Sequence, residues 1–413
     1  MLIKRKIFKQ LKEHLNKKEI TIIIGPRQIG KTTIMELLKE HLEKEGKRTL
    51  FLSLDFEHDK IHFNSQLSLL RKIELEIGKK RGFIFIDEIQ RKENAGVFLK
   101  GLYDMKLPYK FIVSGSGSME LKEKIYESLA GRKRVFELNP VSFEEFVNFK
   151  TSYKYENNLK EFFNIEKYKV EELFWEYLNF GGYPRVITEE IVEEKKLVMN
   201  DIFHSYLEKD ISSLLLVKKT EEFSSLIKIL ASRIGKLINY SELSNTLGIS
   251  FQTLKEYLWY LEKTFIFKRL TPYFRNIKKE ITKSPVVYFY DSGLRNYLLN
   301  LFGNIYDENQ VGFLFQNLIF NILREKFKDK KIYFWRTKDG AEVDFVIDLG
   351  MELIPVEVKF KNYNFPVIEK SLKNFIKQYT PKKAFVINRN LKKKIKFQNS
   401  VIIFLTFFDL LFI

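Results

Sequence analysis

Residues 20–33 read ITIIIGPRQIGKTT, and this stretch decides the fold of the first part of the chain. Ile20–Ile24 is a β-branched run, which predicts a fully buried parallel strand. From Thr32 to Glu45 apolar residues recur at helical spacing, so a helix is predicted directly after the glycine-rich loop. A loop between a buried strand and a helix N-terminus presents backbone N–H groups that can hold phosphate groups.

The loop fits the P-loop pattern of Gly, four residues, Gly, Lys and then Ser or Thr. In this pattern Lys31 reaches the β- and γ-phosphates of a nucleotide, and the Thr32 hydroxyl coordinates Mg²⁺. We therefore expect ATP and Mg²⁺ as cofactors. The predicted nucleotide-binding residues of the loop are Gly25, Pro26, Arg27, Gln28, Ile29, Gly30, Lys31, Thr32 and Thr33.

A second motif, FIFIDE at residues 83–88, is an apolar run that ends in two acids. A buried strand that ends this way places both carboxylates at the edge of the sheet where α/β proteins bind ligands. Asp87 is then predicted to hold the Mg²⁺ shell and Glu88 to activate the attacking water. The alternative is that Asp87 only caps the next helix.

Two further segments are candidates for the same site. Ser114 and Ser116 follow the next predicted strand, where hydroxyl groups could sense a γ-phosphate or could cap a helix ahead of Met119. Arg132 lies in a basic turn, Gly131-Arg132-Lys133-Arg134, and could act as an arginine finger for its own site or for a neighbouring subunit. A solvated basic turn is the alternative for that segment.

Composition limits the remaining possibilities. The 413 residues include no cysteine and five histidines, which excludes disulfides, zinc ribbons and thiol catalysis and disfavours a histidine metal site. The formal charge of +18 favours a polyanionic partner, with DNA as the first candidate. Lys/Glu-rich surfaces of thermophilic proteins are the alternative explanation of that charge. Because the chain shows no signal peptide and Val401–Ile413 is too short to span a membrane, we expect a cytoplasmic protein without a membrane partner.

Strands alternate with helices over about the first 140 residues, which predicts a parallel α/β sheet. The pattern then becomes helical to about Arg233, with a sharp break at Gly181–Pro184. Beyond it, Ser241–Ser250 and Phe251–Lys263 read as two helices joined by a glycine turn, as in helix-turn-helix proteins. Exposed Gln252, Thr253, Lys255 and Glu256 would face DNA, and the basic residues of the wing would be Lys268, Arg269, Arg275, Lys278 and Lys279. Use of this module only for domain packing or oligomerisation is the alternative.

Near the C-terminus two alternating strands flank a turn at Gly350-Met351. The turn would pair Asp344 with Glu357, since each lies six residues from its end, and would put their Cα atoms about 5 Å apart. Lys359 lies two residues beyond Glu357 on the same face. Two close carboxylates and a lysine suit a divalent metal and phosphodiester chemistry.

The motifs at Gly25–Thr33, Ile86–Gln90, Ser114–Ser116, Leu129–Arg132, Gly181–Pro184, Tyr288–Leu294 and Trp335–Phe345 occur together and in order. The chain thereby resembles a large family of archaeal and bacterial AAA-type ATPases with a C-terminal domain of unknown function. The resemblance implies a multidomain α/β protein with an AAA-like P-loop NTPase core, a helical lid, a winged helix-turn-helix and a restriction-endonuclease-like C-terminal domain. We place these segments at residues 1–142, 143–233, 234–285 and 286–413.

The Asp344, Glu357 and Lys359 arrangement is similar to the PD-(D/E)XK nuclease signature, in which the acids bind Mg²⁺ and the lysine is catalytic. Gln316 stands where the family pattern has glutamate, although Glu342 could compensate. Two hypotheses follow. The first is a DNA-directed ATPase that controls a Mg²⁺-dependent nuclease domain. A homo-oligomer is a candidate assembly for such a protein. The second is a nucleotide-dependent switch whose winged helix and inactive nuclease-like domain only bind DNA or a protein.

Overall fold

The computed structural model describes residues 2–116, 128–214, 217, 219–274, 283–305 and 308–413, with only the backbone described at 209, 213–214 and 308–310. The described chain is an α/β protein that divides into two compact units. The first unit comprises residues 1–141, 183–223 and 255–266, and the second comprises 142–182, 224–254 and 267–413. The predicted boundary at 142/143 is one residue from the first division, whereas segments 143–233 and 234–285 each contribute to both units.

The first unit contains a five-stranded parallel sheet in the order β2-β3-β4-β1-β5. Its strands consist mostly of β-branched and aromatic residues, and β1, β3 and β4 are buried along their whole length. The strands are β1 Ile20–Gly25, β2 Thr49–Ser53, β3 Gly82–Asp87, β4 Tyr109–Ser116 and β5 Lys133–Glu137. The predicted parallel sheet is therefore present, and β5 is a strand that the periodicity did not reveal.

Helices precede and connect these strands, and the longer ones bury apolar residues, such as Ile34, Met35 and Leu38 of the helix that follows β1. They are α1 Ile7–His14, α2 Lys31–Lys44, α3 Glu57–Lys60, α4 Gln66–Ile77 and α5 Ala95–Asp104, with 3₁₀ turns at Ile61–Asn64 and Ile89–Arg91. Because parallel strands all end at one edge, Gly25, Asp87 and Ser116 lie at the same edge of the sheet. The register confirms this closeness, since Gly25 pairs with Ser116.

The chain from 142 to 305 is largely helical. Its elements are α6 Phe143–Lys150, α7 Leu159–Ile165, α8 Lys167–Phe180, α9 Pro184–Thr188, α10 Val192–Ser205, a π-helical segment Tyr206–Leu214, α11 Thr220–Ser232, α12 Tyr240–Leu247, α13 Phe251–Lys263, β6 Phe267–Leu270, β7 Val286–Phe289 and α14 Ser292–Leu298. Gly248, with φ 61°, ends α12 in the left-handed conformation that glycine adopts without strain. The strands β6 and β7 pair antiparallel.

The second unit also contains a mixed six-stranded sheet in the order β12-β13-β11-β10-β9-β8. Its elements are α15 Glu308–Lys326, β8 Lys331–Arg336, β9 Glu342–Asp348, β10 Leu353–Val358, α16 Lys370–Tyr379, β11 Lys383–Asn388, β12 Lys393–Phe397, β13 Ser400–Thr406 and α17 Phe407–Leu410. The apolar C-terminal stretch forms the buried strand and short helix that its length predicts. Leu372, Phe375 and Ile376 of α16 belong to one apolar core with Val343, Val346 and Trp335 of the sheet.

Candidate functional site: the P-loop and the paired carboxylates

The P-loop begins at the end of β1, where Gly25 lies against the backbone of the chain beyond β5. A Cβ at Gly25 would meet the Leu138 carbonyl oxygen at 2.3 Å, so only glycine fits. Gly30, with φ 91°, occupies the left-handed region immediately before α2. These two glycines shape the loop so that the N-terminus of α2 opens on the C-terminal edge of the sheet.

Lys31 is buried, with 6% of its surface exposed, at the first position of α2. Its Nζ donates to the carbonyl oxygens of Pro26 at 2.8 Å and Gly25 at 3.2 Å. Burial lowers the pKa of Lys31, and the carboxylates of Glu88, Asp210 and Asp87 counteract that effect. The ammonium group is thus held by neutral carbonyls inside its own loop, a weak arrangement that an anion can replace.

The Thr32 hydroxyl donates to Asp87 Oδ2 at 2.8 Å, which brings together the two predicted ligands of Mg²⁺. On the other side of Asp87, the Ser114 hydroxyl donates to Oδ1, and the backbone N–H of Glu88 donates to the same oxygen at 3.1 Å. The Glu88 N–H also lies 3.2 Å from Ser114 Oγ. Ser114 therefore orients Asp87 here, whereas its predicted role as a phosphate sensor stays a prediction.

Glu88 follows the strand in a left-handed conformation, with φ 57°, which is unusual for a residue with a side chain. Burial raises the pKa of its carboxyl group, and the nearby Lys31 opposes that rise. Gln90 Nε2 donates to Glu88 Oε2 at 2.5 Å. Glu88 thus lies at the ligand edge of the sheet, and its role in activating water stays a prediction.

Arg27 and Ser116 both interact with Asp210, a residue that the sequence analysis did not single out. Arg27 Nε lies 3.0 Å from Asp210 Oδ2, in the π-helical segment. Burial raises the pKa of Asp210, opposed first by Arg27 and Lys31 and further by a hydrogen bond from Ser116. No motif surrounds Asp210, so only the fold could have revealed it.

Arg132 lies at the opposite edge of the sheet. Its carbonyl accepts the N–H of Ile20, the first residue of β1, and its Nε pairs with Asp104 Oδ1 at 2.8 Å. The length of β1, roughly 16 Å, separates this edge from the P-loop. Arg132 is therefore distant from the P-loop of its own chain, and its action as an arginine finger stays a prediction.

The carboxylate pair of the second unit lies on the β9–β10 hairpin. The register runs from Asp348–Leu353 to Phe345–Val356, so the next opposed pair is Asp344 and Glu357, as the turn at Gly350-Met351 predicts. Lys359 Nζ lies 2.7 Å from Glu357 Oε1. Gln316 Nε2 donates to Asp344 Oδ1 at 2.6 Å, and the Val358 N–H donates to Oδ2 at 2.7 Å.

Electrostatics couple the groups of this pair. Burial raises the pKa of Asp344 well above its ordinary value, and Glu357 adds to the rise. Burial also raises the pKa of Glu357, against the opposing charge of Lys359. Burial alone would lower the pKa of Lys359, but Glu357 and Asp344 outweigh it and raise the pKa. Glu342, the proposed substitute acid, pairs instead with Arg336 at 3.2 Å.

The motifs at Gly181–Pro184 and Tyr288–Leu294 contact each other within the second unit. Asp291 accepts the N–H groups of Gly182 at 2.6 Å and Leu294 at 2.7 Å, which caps α14 and fixes the end of α8. A Cβ at Gly181 would meet Asp291 Oδ1 at 2.4 Å. Burial raises the pKa of Asp291 to about 6. These residues therefore have a structural explanation in the packing of two helices.

The two helices predicted for residues 241–263 are present as α12 and α13, and their use as a winged helix-turn-helix stays a prediction. Leu254, Tyr257, Leu258 and Leu261 are buried, and Gln252, Lys255 and Glu256 are exposed, as their spacing predicts. Thr253, which the spacing also predicts to be exposed, is half-buried. Lys268 and Arg269 belong to strand β6. Arg275, Lys278 and Lys279 lie outside the described residues.

Three segments of the chain match known protein families. Residues 17–147 match the family described as AAA domain, residues 171–304 match a domain of unknown function (DUF8612), and residues 311–408 match a domain of unknown function (DUF4143). Residues 17–147 are therefore similar to an AAA-type P-loop ATPase domain. The five-stranded parallel sheet and the P-loop both lie within this segment.

Similar proteins come from bacteria and archaea. An uncharacterized protein of Mycobacterium tuberculosis is 26% identical over 378 residues, covering 91% of this chain and 77% of the relative. An uncharacterized protein of Haemophilus influenzae is 25% identical, covering 87% of each chain. Among solved structures, Cdc6p from Pyrobaculum aerophilum has a TM-score of 0.30 at 9% identity, covering 73% of this chain and 96% of that one. AMPPCP-bound DnaA from Aquifex aeolicus has a TM-score of 0.26 at 17% identity, covering 62% and 86%.

Within the described parts of the chain, no three His, Cys, Asp or Glu side chains are grouped so as to hold a metal ion. Any Mg²⁺ at Thr32 and Asp87 would therefore need phosphate oxygens and water to complete its shell. No helix among the described residues is long and apolar enough to cross a bilayer.

Proposed function

We propose that this protein binds MgATP at its P-loop and hydrolyses it. The observation that carries the proposal is the 2.8 Å contact between the Thr32 hydroxyl and Asp87, directly beside the buried Lys31. Thr32 and Asp87 would hold Mg²⁺, which would neutralise charge on the phosphates. A P-loop lysine together with a hydroxyl and a carboxylate that can hold Mg²⁺ is the minimum set of groups for phosphoryl transfer to water.

The residues of the P-loop site would have different roles in binding and hydrolysis. Backbone N–H groups of the loop and the N-terminus of α2 would bind the phosphates. Lys31 would exchange the Gly25 and Pro26 carbonyls for phosphate oxygens, a charge-assisted contact of greater strength. Glu88 would accept a proton from the attacking water, a role suited to the raised pKa of its carboxyl group.

A phosphate-release assay tests this proposal. Lys31→Ala should lose ATP hydrolysis, whereas Glu88→Gln should keep ATP binding and trap the bound nucleotide. Lys44→Ala, an exposed lysine at the other end of α2, is the matched control and should hydrolyse ATP as the wild type does. Undiminished turnover in both site variants would reject the ATPase assignment.

We further propose DNA as the partner of the protein. Support comes from the net charge of +18 and from the exposed polar residues Gln252 and Lys255 on α13. Binding of duplex DNA should weaken steeply with salt, and Lys268→Glu with Arg269→Glu should make that dependence shallower. If no DNA binds from low to moderate salt, the two helices serve packing alone.

A second candidate activity is Mg²⁺-dependent cleavage of DNA at Asp344, Glu357 and Lys359. It is favoured by Glu357 Oε2, a buried oxygen with no hydrogen-bond partner beside an ion-paired lysine. Asp344 and Glu357 would hold the metal, which would supply charge stabilisation at the phosphate. The switch alternative is favoured by Gln316 and Val358, because their donors already occupy both oxygens of Asp344. Incubation with plasmid, linear and branched DNA in Mg²⁺ or Mn²⁺ separates the two.

A further inference from the structure

The π-helical segment Tyr206–Leu214 brings an acidic side chain to the P-loop of its own unit. Asp210 is buried, with 3% of its surface exposed. The segment is anchored on both sides of it, since Tyr206 Oη lies 2.8 Å from Thr264 Oγ1 in the interior and Ile211 is fully buried. π-Helical turns are rare and occur preferentially at functional sites.

Asp210 interacts with the cations of the predicted phosphate site. Its Oδ2 lies 3.0 Å from Arg27 Nε, and its charge acts on the buried Lys31. Asp210 also accepts a hydrogen bond from Ser116, but its Oδ1 and the Nε of Arg27 have no partner of hydrogen-bond geometry. A buried carboxylate that is left half-paired costs free energy, which a rearrangement can recover.

The charges around the P-loop indicate how Asp210 would rearrange. Arg27 and Lys31 supply two positive charges, and Asp87, Glu88 and Asp210 supply three carboxyl groups. A nucleotide adds several negative charges beside the same two cations. Asp210 and a phosphate group then compete for Arg27, and their mutual repulsion in a buried site is strong.

We propose that Asp210 occupies the phosphate-binding side of Arg27 in the nucleotide-free protein, and that nucleotide binding displaces it together with the π-helical segment. The segment is then the element that reports nucleotide occupancy to the rest of the chain. This inference rests on the proposed binding of ATP at the P-loop.

The test compares wild type, Asp210→Asn and Asp210→Ala for binding of the nonhydrolysable analogue AMPPCP with Mg²⁺. Removal of the competing charge should tighten binding at least about fivefold. Asp201→Asn, an exposed aspartate of α10, is the matched control and should bind as the wild type does. Thermal unfolding of each variant checks that it is folded.

Hydrogen exchange of Tyr206–Leu214 provides the second readout. AMPPCP should raise exchange in this segment of the wild type, and Asp210→Asn should raise it before nucleotide is added. If the wild type binds AMPPCP but both Asp210 variants bind equally or more weakly, the displacement inference is overturned and ATP binding stands. An unchanged exchange rate on binding overturns it also. If no protein, including the variants, binds AMPPCP, the proposed function fails with it.

Discussion

The P-loop of the first unit and the carboxylate pair of the second each contain a lysine beside acids, but the two lysines are in opposite states. Lys31 donates to two backbone carbonyls, and burial lowers its pKa. Lys359 forms an ion pair with Glu357 at 2.7 Å, and its acids raise its pKa. The first lysine is thus ready to receive an anion, whereas the charge of the second is already compensated. Similar residue types at two sites therefore differ in the ligand that they can accept.

The largest expected effect is a loss of ATP turnover on substitution at the P-loop but not at the carboxylate pair. Lys31→Ala should reduce ATP turnover by about 100-fold or more, because the ammonium group stabilises charge on the transferred phosphoryl group. Asp344→Ala and Lys359→Ala should leave ATP turnover unchanged, because the P-loop lies in another unit. Steady-state phosphate release measures both. A loss of ATP turnover in the Asp344 variant would contradict the independence of the two sites.

The second expected effect concerns cleavage of DNA. If the carboxylate pair binds a metal, Asp344→Ala should abolish cleavage and weaken Mn²⁺ binding. Lys359→Ala should abolish cleavage but spare the metal, since an ammonium group cannot be a ligand. Gln316→Glu should strengthen Mn²⁺ binding and raise any rate, because it replaces the amide on Asp344 by a carboxylate.

Gel assays of DNA cleavage and Mn²⁺ titration calorimetry measure these outcomes. If wild type and Gln316→Glu both leave every DNA substrate intact in Mn²⁺ with ATP, the nuclease candidate fails. The nucleotide-dependent switch is then the better account of the second unit.

A smaller effect is expected on stability without nucleotide. Lys359→Met should lower the free energy of unfolding by about 2 kcal/mol, because Glu357 loses its partner while it stays buried. Lys31→Met should cost less, or should stabilise the protein, because it removes a buried ammonium group that no ion pair compensates. Urea unfolding measures both. Equal losses in the two variants would contradict the difference between the lysines.

The smallest effect is in the pH dependence of these stability differences. The folded pKa of Lys31 lies below the value of 10.5 for a free lysine, so the unfolded chain binds more protons and stability rises with pH toward about 10.5. Lys31→Met should remove that rise. The folded pKa of Lys359 is raised, so its contribution is fully present below about 10.5 and is lost only above it. The Lys359→Met difference should therefore stay constant between about pH 8 and 10.

Part of the fold and of both sites could be predicted because their signals are local. The β-branched run before Gly25 and the helical spacing after it predict strand, loop and helix, and β1 and α2 are found there. The apolar run before Asp87 likewise predicts β3. In the hairpin, the two-residue side-chain period and a short turn fix the register that leads to Asp344 and Glu357. In each case, the residues that decide the structure are neighbours in the chain.

Other features could not be predicted, because periodicity shows that a segment is buried but not which segment covers it. The strand order β2-β3-β4-β1-β5 places Ser114 against Asp87 and moves Arg132 to the far edge of the sheet. The strand β5 escaped detection because Lys133 and Arg134 interrupt its apolar pattern.

The sequence by itself determined the P-loop, the acids that follow β3 and the pairing within one hairpin, since each depends on short-range geometry. Only the tertiary structure decided which distant side chains modify those sites. Asp210 reaches Arg27 from 183 positions along the chain, and Gln316 reaches Asp344 from 28. Such contacts arise from the packing of whole elements, and the free energy that selects them comes from the apolar residues around them, not from the polar residues that meet.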